Sequence, residues 1–438
     1  MKILFLTAYS YPEQTPSSYL GKNRNNAFYE QGWHTLVYTP TPSRGITKEQ
    51  RRKYCTTLKN EVLHSGQAVV HRLSLYAEGK NSILRAFRYL LLCCKLFWCG
   101  AFRKEARKAD VLFVSSTPPI MGATATLVKK FNKIPFIYNL QDIFPDSLVG
   151  TGLAKKDGIL WKIGRWIEDF TYRHADKIIV ISEDFKRNIM AKGVPEEKIV
   201  VIYNWVDQNV VVDVPREQNK LFDKYHLDRN KFYVTYCGNI GLTQNLDMLV
   251  AASEELSDNN DIHFVLVGNG AYWETLVAKL KEKHTLSGFK ADDGTEALTF
   301  GNITLLPFQP YDDISHVFSL GDVSIIISKP GVGANSVPSK TWSIMSASRP
   351  VVANFDENEI KSILDDNHCG IFTKAGDKEA FKQAILTLYN DKELCQEYGR
   401  NGRQFVMDNL TKEVGTQKYV EVIKETVANY AKDFRDKK

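Results

Sequence analysis

Short runs of consecutive apolar residues recur along this chain, and each is followed by a polar or glycine-containing turn. Lys2 to Thr7, Val111 to Ser115, Pro135 to Asn139, Lys177 to Ser182 and Ile199 to Tyr203 have this form in the first half. Phe232 to Cys237, His263 to Val267, Ile303 to Leu306, Val323 to Ile327, Val351 to Asn354 and Gly370 to Thr373 repeat it in the second. Runs of this length without alternation predict strands buried on both faces, as in a parallel sheet. Amphipathic stretches lie between them: Arg24–Gln31, Gly158–His174, Asn245 onward, Glu274–Lys283, Tyr311–Ser319, Asp377–Asn390 and Lys392–Met407. The pattern predicts an α/β protein of two Rossmann-like halves facing a cleft. Its divisions are an N-terminal domain over 1–210, a second over 211–411, and a polar terminal helix over 412–438 that crosses back to the first. Gln208 to Arg229 reads as a hinge with a connecting helix.

The stretch from Leu320 to Asn354 is the most informative: strand, glycine-rich loop with Gly331, Gly333, Asn335 and Pro338, helix opening at Ser339 and Lys340, strand. Backbone N–H groups at such a helix start attract phosphate, and Lys340 adds a positive charge. An ordinary βαβ crossover with a surface lysine is the competing reading. In the first half, Asp142 and Asp146 follow a predicted strand, where ligands gather in doubly wound sheets; a turn or helix-cap role is the alternative for both.

Composition narrows the picture. The chain has 438 residues and a formal net charge of +6, which suits an anionic partner without calling for nucleic acid. Seven cysteines without a CxxC pair suggest reduced thiols and a cytoplasmic setting. The first residues lack the long apolar region of a signal peptide. The GxGxxG fingerprint is absent after the first strand, which argues against a nicotinamide enzyme. No metal-ligand spacing is visible and no cofactor is expected. Residues 81–108 hold an apolar segment, Tyr89 to Phe102, flanked by Arg85, Arg88, Arg103, Lys104, Arg107 and Lys108. It is too short to span a bilayer, which takes about 20 residues. Its two readings are a helix on an anionic membrane interface and a buried helix with basic ends in water.

Several motifs in order resemble the GT-B glycosyltransferases, and within them family 4. These are Asp176-Lys-Ile-Ile-Val-Ile-Ser182, Gly193-Val-Pro195, Asn204-Trp-Val-Asp207, Tyr236-Cys-Gly-Asn-Ile-Gly241, Phe264-Val-Leu-Val-Gly-Asn-Gly270, Gly376-Asp377 and Gly399-Arg-Asn-Gly-Arg403. Gln141-Asp-Ile-Phe-Pro-Asp146, Gly238-Asn-Ile-Gly241 with Gln244-Asn245, and Val337-Pro-Ser-Lys340 are similar to the WbuB-like subgroup, which transfers N-acetylfucosamine and related sugars in O-antigen and capsule synthesis.

The resemblance implies a retaining, metal-independent transferase that moves a deoxy-amino sugar from a UDP-sugar to an undecaprenyl-linked glycan, working in the cytoplasm at the inner membrane face. It implies donor contacts from Gly238, Asn239, Gly241, Gln244, Gly268, Asn269, Leu306, Pro307, Pro338, Ser339, Lys340 and Ser343. Lys340 would stabilise the leaving diphosphate, with Lys329 approaching the same loop, and Asp142 would act near the anomeric carbon or acceptor hydroxyl. The chain departs from the family at informative places. Asn335 and Ser343 stand where the glutamate pair is usual, Asn239 and Gln244 replace an Arg and a Lys, and Ser348 replaces a glycine. A common acceptor-domain His aligns near Gln141 or Asp142. An inactive nucleotide-sugar-binding relative and a UDP-sugar epimerase are the alternatives.

Overall fold

The computed structural model describes every residue except 14–17, 80, 147–154, 334–336 and 437–438. Asn335 therefore lies outside the described residues. The chain forms two compact units, Met1–Tyr203 with Gly415–Lys438, and Asn204–Val414.

The first unit is built on β1 Lys2–Leu6, β2 His34–Pro40, β3 Asn60–Leu63, β4 Ala68–Leu73, β5 Val111–Ser115, β6 Phe136–Leu140, β7 Lys177–Val180 and β8 Ile199–Val201. Their order in the sheet is β3-β4-β2-β1-β5-β6-β7-β8. All pairs are parallel except β3 with β4. One face carries Leu4, Leu6, Leu112 and Val114 into a core with the helices Ser82–Phe102, Ile120–Asn132 and Ile159–His174. From the C-terminal helix, Tyr419 lies against Phe113, and Arg24 packs its guanidinium 4.6 Å from the Phe113 ring.

The second unit holds β9 Phe232–Asn239, β10 Ile262–Asn269, β11 Leu286–Lys290, β12 Glu296–Phe300, β13 Ile303–Leu306, β14 Val323–Ile327, β15 Val351–Phe355 and β16 Gly370–Lys374. Their order is β11-β12-β13-β10-β9-β14-β15-β16. The central strands β9, β10 and β14 are buried along nearly their whole length, as their uninterrupted apolar runs require. The sheets are mostly rather than wholly parallel: the hairpin β11–β12 and its join to β13 are antiparallel. That hairpin escapes the sequence pattern because Leu286–Lys290 is mostly exposed, so no apolar run marks it.

Two sequence expectations about the first unit change. Arg88 is not part of a solvated basic flank; it is fully buried, donates to the Tyr76 carbonyl at 3.0 Å and lies 4.0 Å from the Glu78 carboxylate. Helix Ile159–His174 does bury one face, but Trp166 on its other side is 66% exposed.

Candidate active site

The candidate donor residues of the second unit come from the carboxyl ends of adjacent strands. Gly238 pairs with Gly268, and Asn239 with Asn269, at the ends of β9 and β10. Gly268 has φ +152°, and a Cβ there would collide with the Gly238 carbonyl oxygen. Only glycine allows the two strand ends to come this close. Beyond them the Ile240 N–H donates to Asn269 at 3.0 Å and the Tyr272 N–H to Ile240 at 2.9 Å, knitting the two loops together. The Asn239 side chain lies over Gly241 and Gly270, and the Asn269 amide oxygen turns back to accept from Gly270 at 2.7 Å.

Lys340 is the first residue of helix Lys340–Ser346, with Ser339 before it and Ser343 three positions on. Its stem is half-buried, but Nζ is enclosed and has no hydrogen-bond partner among the described residues. Nζ lies 3.7 Å from the centre of the Tyr236 ring and 3.5 Å from where a Cβ on Gly238 would stand. The glycine at 238 thus leaves the lysine room beneath the strand end. An ammonium out of water without a counter-ion costs several kcal/mol. Desolvation accordingly lowers the Lys340 pKa to about 7. The neighbouring groups supply no charge: burial pushes the Cys237 thiol up to about 12 and raises the Tyr236 phenol too. The Tyr236 ring face offers only a cation–π contact, worth about 0.5–2 kcal/mol.

Three further polar atoms on the same sheet edge are buried without hydrogen-bond partners among the described residues: Gln244 Oε1, Ser328 Oγ and Thr341 Oγ1. Ser328 directly follows β14, and Thr341 follows Lys340. Sequence reading found Gln244 but missed Ser328 and Thr341, since an isolated hydroxyl leaves no pattern. Lys329 approaches by its backbone, donating to Thr243 at 2.9 Å.

The glycine-rich loop is tied into the fold: the Gly331 and Gly333 N–H groups both donate to the Asp356 carboxylate, at 2.9 and 2.7 Å. In the helix start, Thr341 and Trp342 donate back to the carbonyls of Pro338 and Ser339, so two early N–H groups are already used. Leu306 ends β13 with its side chain fully buried in the core. Pro307 follows, and after it Phe308 is 75% exposed. Asp356 and Phe308 were both missed: their identities are ordinary, and only the fold sets them at this edge.

In the first unit, Asp142 stands exposed just past β6. Beside it, Gln141 donates its N–H to Ser116 Oγ at 3.0 Å and its amide to Asn139 Oδ1 at 3.1 Å. Tyr419 of the C-terminal helix donates to the same Asn139 oxygen at 3.0 Å. Asp146 is tied into structure instead, paired at 2.7 Å with Lys192, which also reaches the buried Glu168 at 3.3 Å. Among the described residues, no group of three His, Cys, Asp or Glu side chains is placed to hold a metal ion.

Two mostly parallel, doubly wound sheets, each with loops gathered at its carboxyl edge, define the GT-B class. Residues 26–205 match the glycosyl transferase 4-like domain and residues 217–405 the glycosyl transferases group 1 domain, so the chain carries both halves of a GT-B glycosyltransferase. It is 24% identical to the probable glycosyltransferase WbjE of Pseudomonas aeruginosa, over 93% of this chain and 96% of that one. It is 26% identical to the putative colanic acid biosynthesis glycosyl transferase WcaI of Escherichia coli, over 64% of this chain and 66% of that one. Among solved structures, Anabaena HepE in complex with UDP-glucose superposes with a TM-score of 0.67 at 17% identity, covering 97% of this chain and all of that one.

Proposed function

We propose that this glycosyltransferase moves a sugar from a UDP-sugar to a lipid-linked glycan in surface polysaccharide synthesis, with retention at the anomeric carbon. The observation that carries the reading is the enclosed Lys340 side chain beneath the Gly238 strand end, whose Nζ has no hydrogen-bond partner among the described residues. A leaving diphosphate gains negative charge in the transition state, and Lys340, protonated once the diphosphate lies beside it, stabilises that charge from a fixed position in a low-dielectric setting. The complex of HepE with UDP-glucose supports UDP as the nucleotide, and the name of WcaI supports polysaccharide as the product.

The similarity of the Val337-Pro-Ser-Lys340 stretch to the WbuB-like subgroup points to a deoxy-amino sugar. Departure of the diphosphate from the face that the acceptor enters accounts for retention without a carboxylate pair. Asp142 is the proposed orienting group for the acceptor hydroxyl. The acceptor is carried by a lipid, and the enzyme works at the inner membrane face.

A thermal-shift series with UDP, GDP, ADP, UDP-sugars and NAD tests the donor reading, because a ligand selective for the folded state raises its stability. Stabilisation by UDP and UDP-sugars is expected. Stabilisation by NAD alone would overturn it. UDP binding without turnover on any lipid-linked acceptor would favour the inactive relative, a reading that rests on Ser343 standing in place of a glutamate.

A further inference from the structure

Helices Ser82–Phe102, Ile120–Asn132 and Ile159–His174 lie side by side on the first unit. Gly122 of the middle helix presses on Thr171 of the third so closely that a Cβ would clash. Their inner faces fill the core, and a helix so placed ordinarily turns polar residues outward. These do not. Ile83, Phe87, Leu90, Trp98 and Phe102 recur at helical spacing on the first, with Ile83 78% and Trp98 65% exposed. Ile159, Ile163 and Trp166 do so on the third, with Ile159 80% exposed.

The middle helix makes the surface continuous. The exposed Phe131 ring is 5.5 Å from both Phe97 and Phe102, and Lys130 Nζ is 5.4 Å from the Phe170 ring, which stacks on Trp166 at 5.8 Å. A joined apolar surface of this kind marks an interaction site, whereas scattered exposed residues do not.

Charge selects the partner. The only acidic residues in the three helices are Glu168 and Asp169, and both pair with Arg165. Arg85, Lys95, Lys130, Lys162 and Arg173 are exposed among the apolar side chains. A second copy would bring like charge against like charge. Tryptophan and phenylalanine interleaved with Lys and Arg suit the boundary between headgroups and acyl chains of an anionic bilayer. Among the described residues no helix is long and apolar enough to cross a membrane, so such a surface lies on the bilayer.

We propose that this three-helix face docks on an anionic lipid surface, with Trp98, Phe102, Phe131, Ile163 and Trp166 entering the interface. For its purpose the proposal rests on the lipid-linked acceptor above. It extends the contact from the basic flank of 81–108 to helix Ile159–His174, whose sequence reads as a sheet-packing helix.

The test is flotation of the full chain with vesicles of phosphatidylcholine containing phosphatidylglycerol, against phosphatidylcholine alone, together with tryptophan emission. Flotation with the anionic vesicles and a blue shift are expected. The Ile163→Asp/Trp166→Asp variant should lose flotation at least about tenfold, and Lys130→Glu/Lys162→Glu should weaken it, while both keep the wild-type thermal shift with UDP. Wild-type protein that stays off anionic vesicles would overturn the proposal, as would undiminished flotation of the Asp variant. A lipid-free dimer that the Asp variant dissolves would also overturn it, in favour of a second copy. If UDP stabilises no version of the protein while flotation behaves as expected, the donor reading fails and the docking surface stands.

Discussion

Lys340 Nζ rests 3.7 Å from the centre of the Tyr236 ring, enclosed and without a hydrogen-bond partner among the described residues. A buried cation in that state destabilises the fold it sits in and suits an anion that enters. Stability and donor binding therefore oppose each other at this one side chain.

Lys340→Met keeps most of the side-chain volume and removes the charge. We expect the variant to melt a few degrees higher, since about 1 kcal/mol moves the melting temperature of a domain of this size by about 2–4 °C. We expect UDP affinity to fall at least about tenfold, the loss of one charge-assisted contact. Calorimetry with and without UDP measures both. An unchanged UDP affinity would remove Lys340 from the donor site.

The same group sets a pH dependence. With its folded pKa lowered to about 7 from the ordinary 10.5, Lys340 is largely neutral above pH 7 in the free protein and charged in the unfolded chain up to about pH 10.5. The unfolded state binds more protons between these values, so the Lys340 contribution to stability rises with pH across that window. Donor binding has the opposite sign: a diphosphate beside Nζ favours the ammonium, so binding takes up a proton and weakens as pH rises above 7. Titration calorimetry of UDP from pH 6.5 to 9 in buffers of different ionisation heat would show the uptake, and Lys340→Met should abolish it.

Gly268→Ala should be severe. Its Cβ would meet the Gly238 carbonyl oxygen, and φ +152° is a conformation that L side chains rarely adopt. A cost of about 2–4 kcal/mol is expected, from overpacking plus backbone strain. Chemical denaturation followed by tryptophan fluorescence checks it. A neutral result would mean that the strand ends separate readily.

Asp142→Asn removes a charge from an exposed residue just past β6 and should leave the fold intact. We expect turnover to fall about 10²–10⁴-fold, the usual range for a general acid–base group, with UDP affinity unchanged. Wild-type turnover would reduce Asp142 to a turn residue.

Most strands of the two sheets were legible because a buried parallel strand must be apolar on both faces, and Val323–Ile327 has the same limits in sequence and structure; β3 Asn60–Leu63 and β4 Ala68–Leu73 carry no unbroken apolar run and were not read. Gly238 and Gly268 were legible as glycines at strand ends, and Lys340 as a lysine at a helix start. The exposed hairpin Leu286–Lys290 with Glu296–Phe300 was not, because its residues carry no burial pattern. The engagement of Gly331 and Gly333 by Asp356 was not either. That carboxylate lies 25 and 23 residues further along the chain, respectively, and no local periodicity encodes such a pairing.

Sequence alone determined the alternation of strand and helix, the glycines that let β9 and β10 converge, and the helix that opens at Lys340, since each follows from local sterics or hydrophobic period. The tertiary structure decided which of them are enclosed. It turned Lys340 from a surface charge into a buried one, withdrew Arg88 from the surface, and left Trp98 and Trp166 facing outward on neighbouring helices. Burial depends on what packs against a residue: Lys340 lies under Tyr236 and Gly238, Arg88 lies against Tyr76 and Glu78, and Trp98 and Trp166 meet Phe102 and Phe170 of their own helices and keep an outer face.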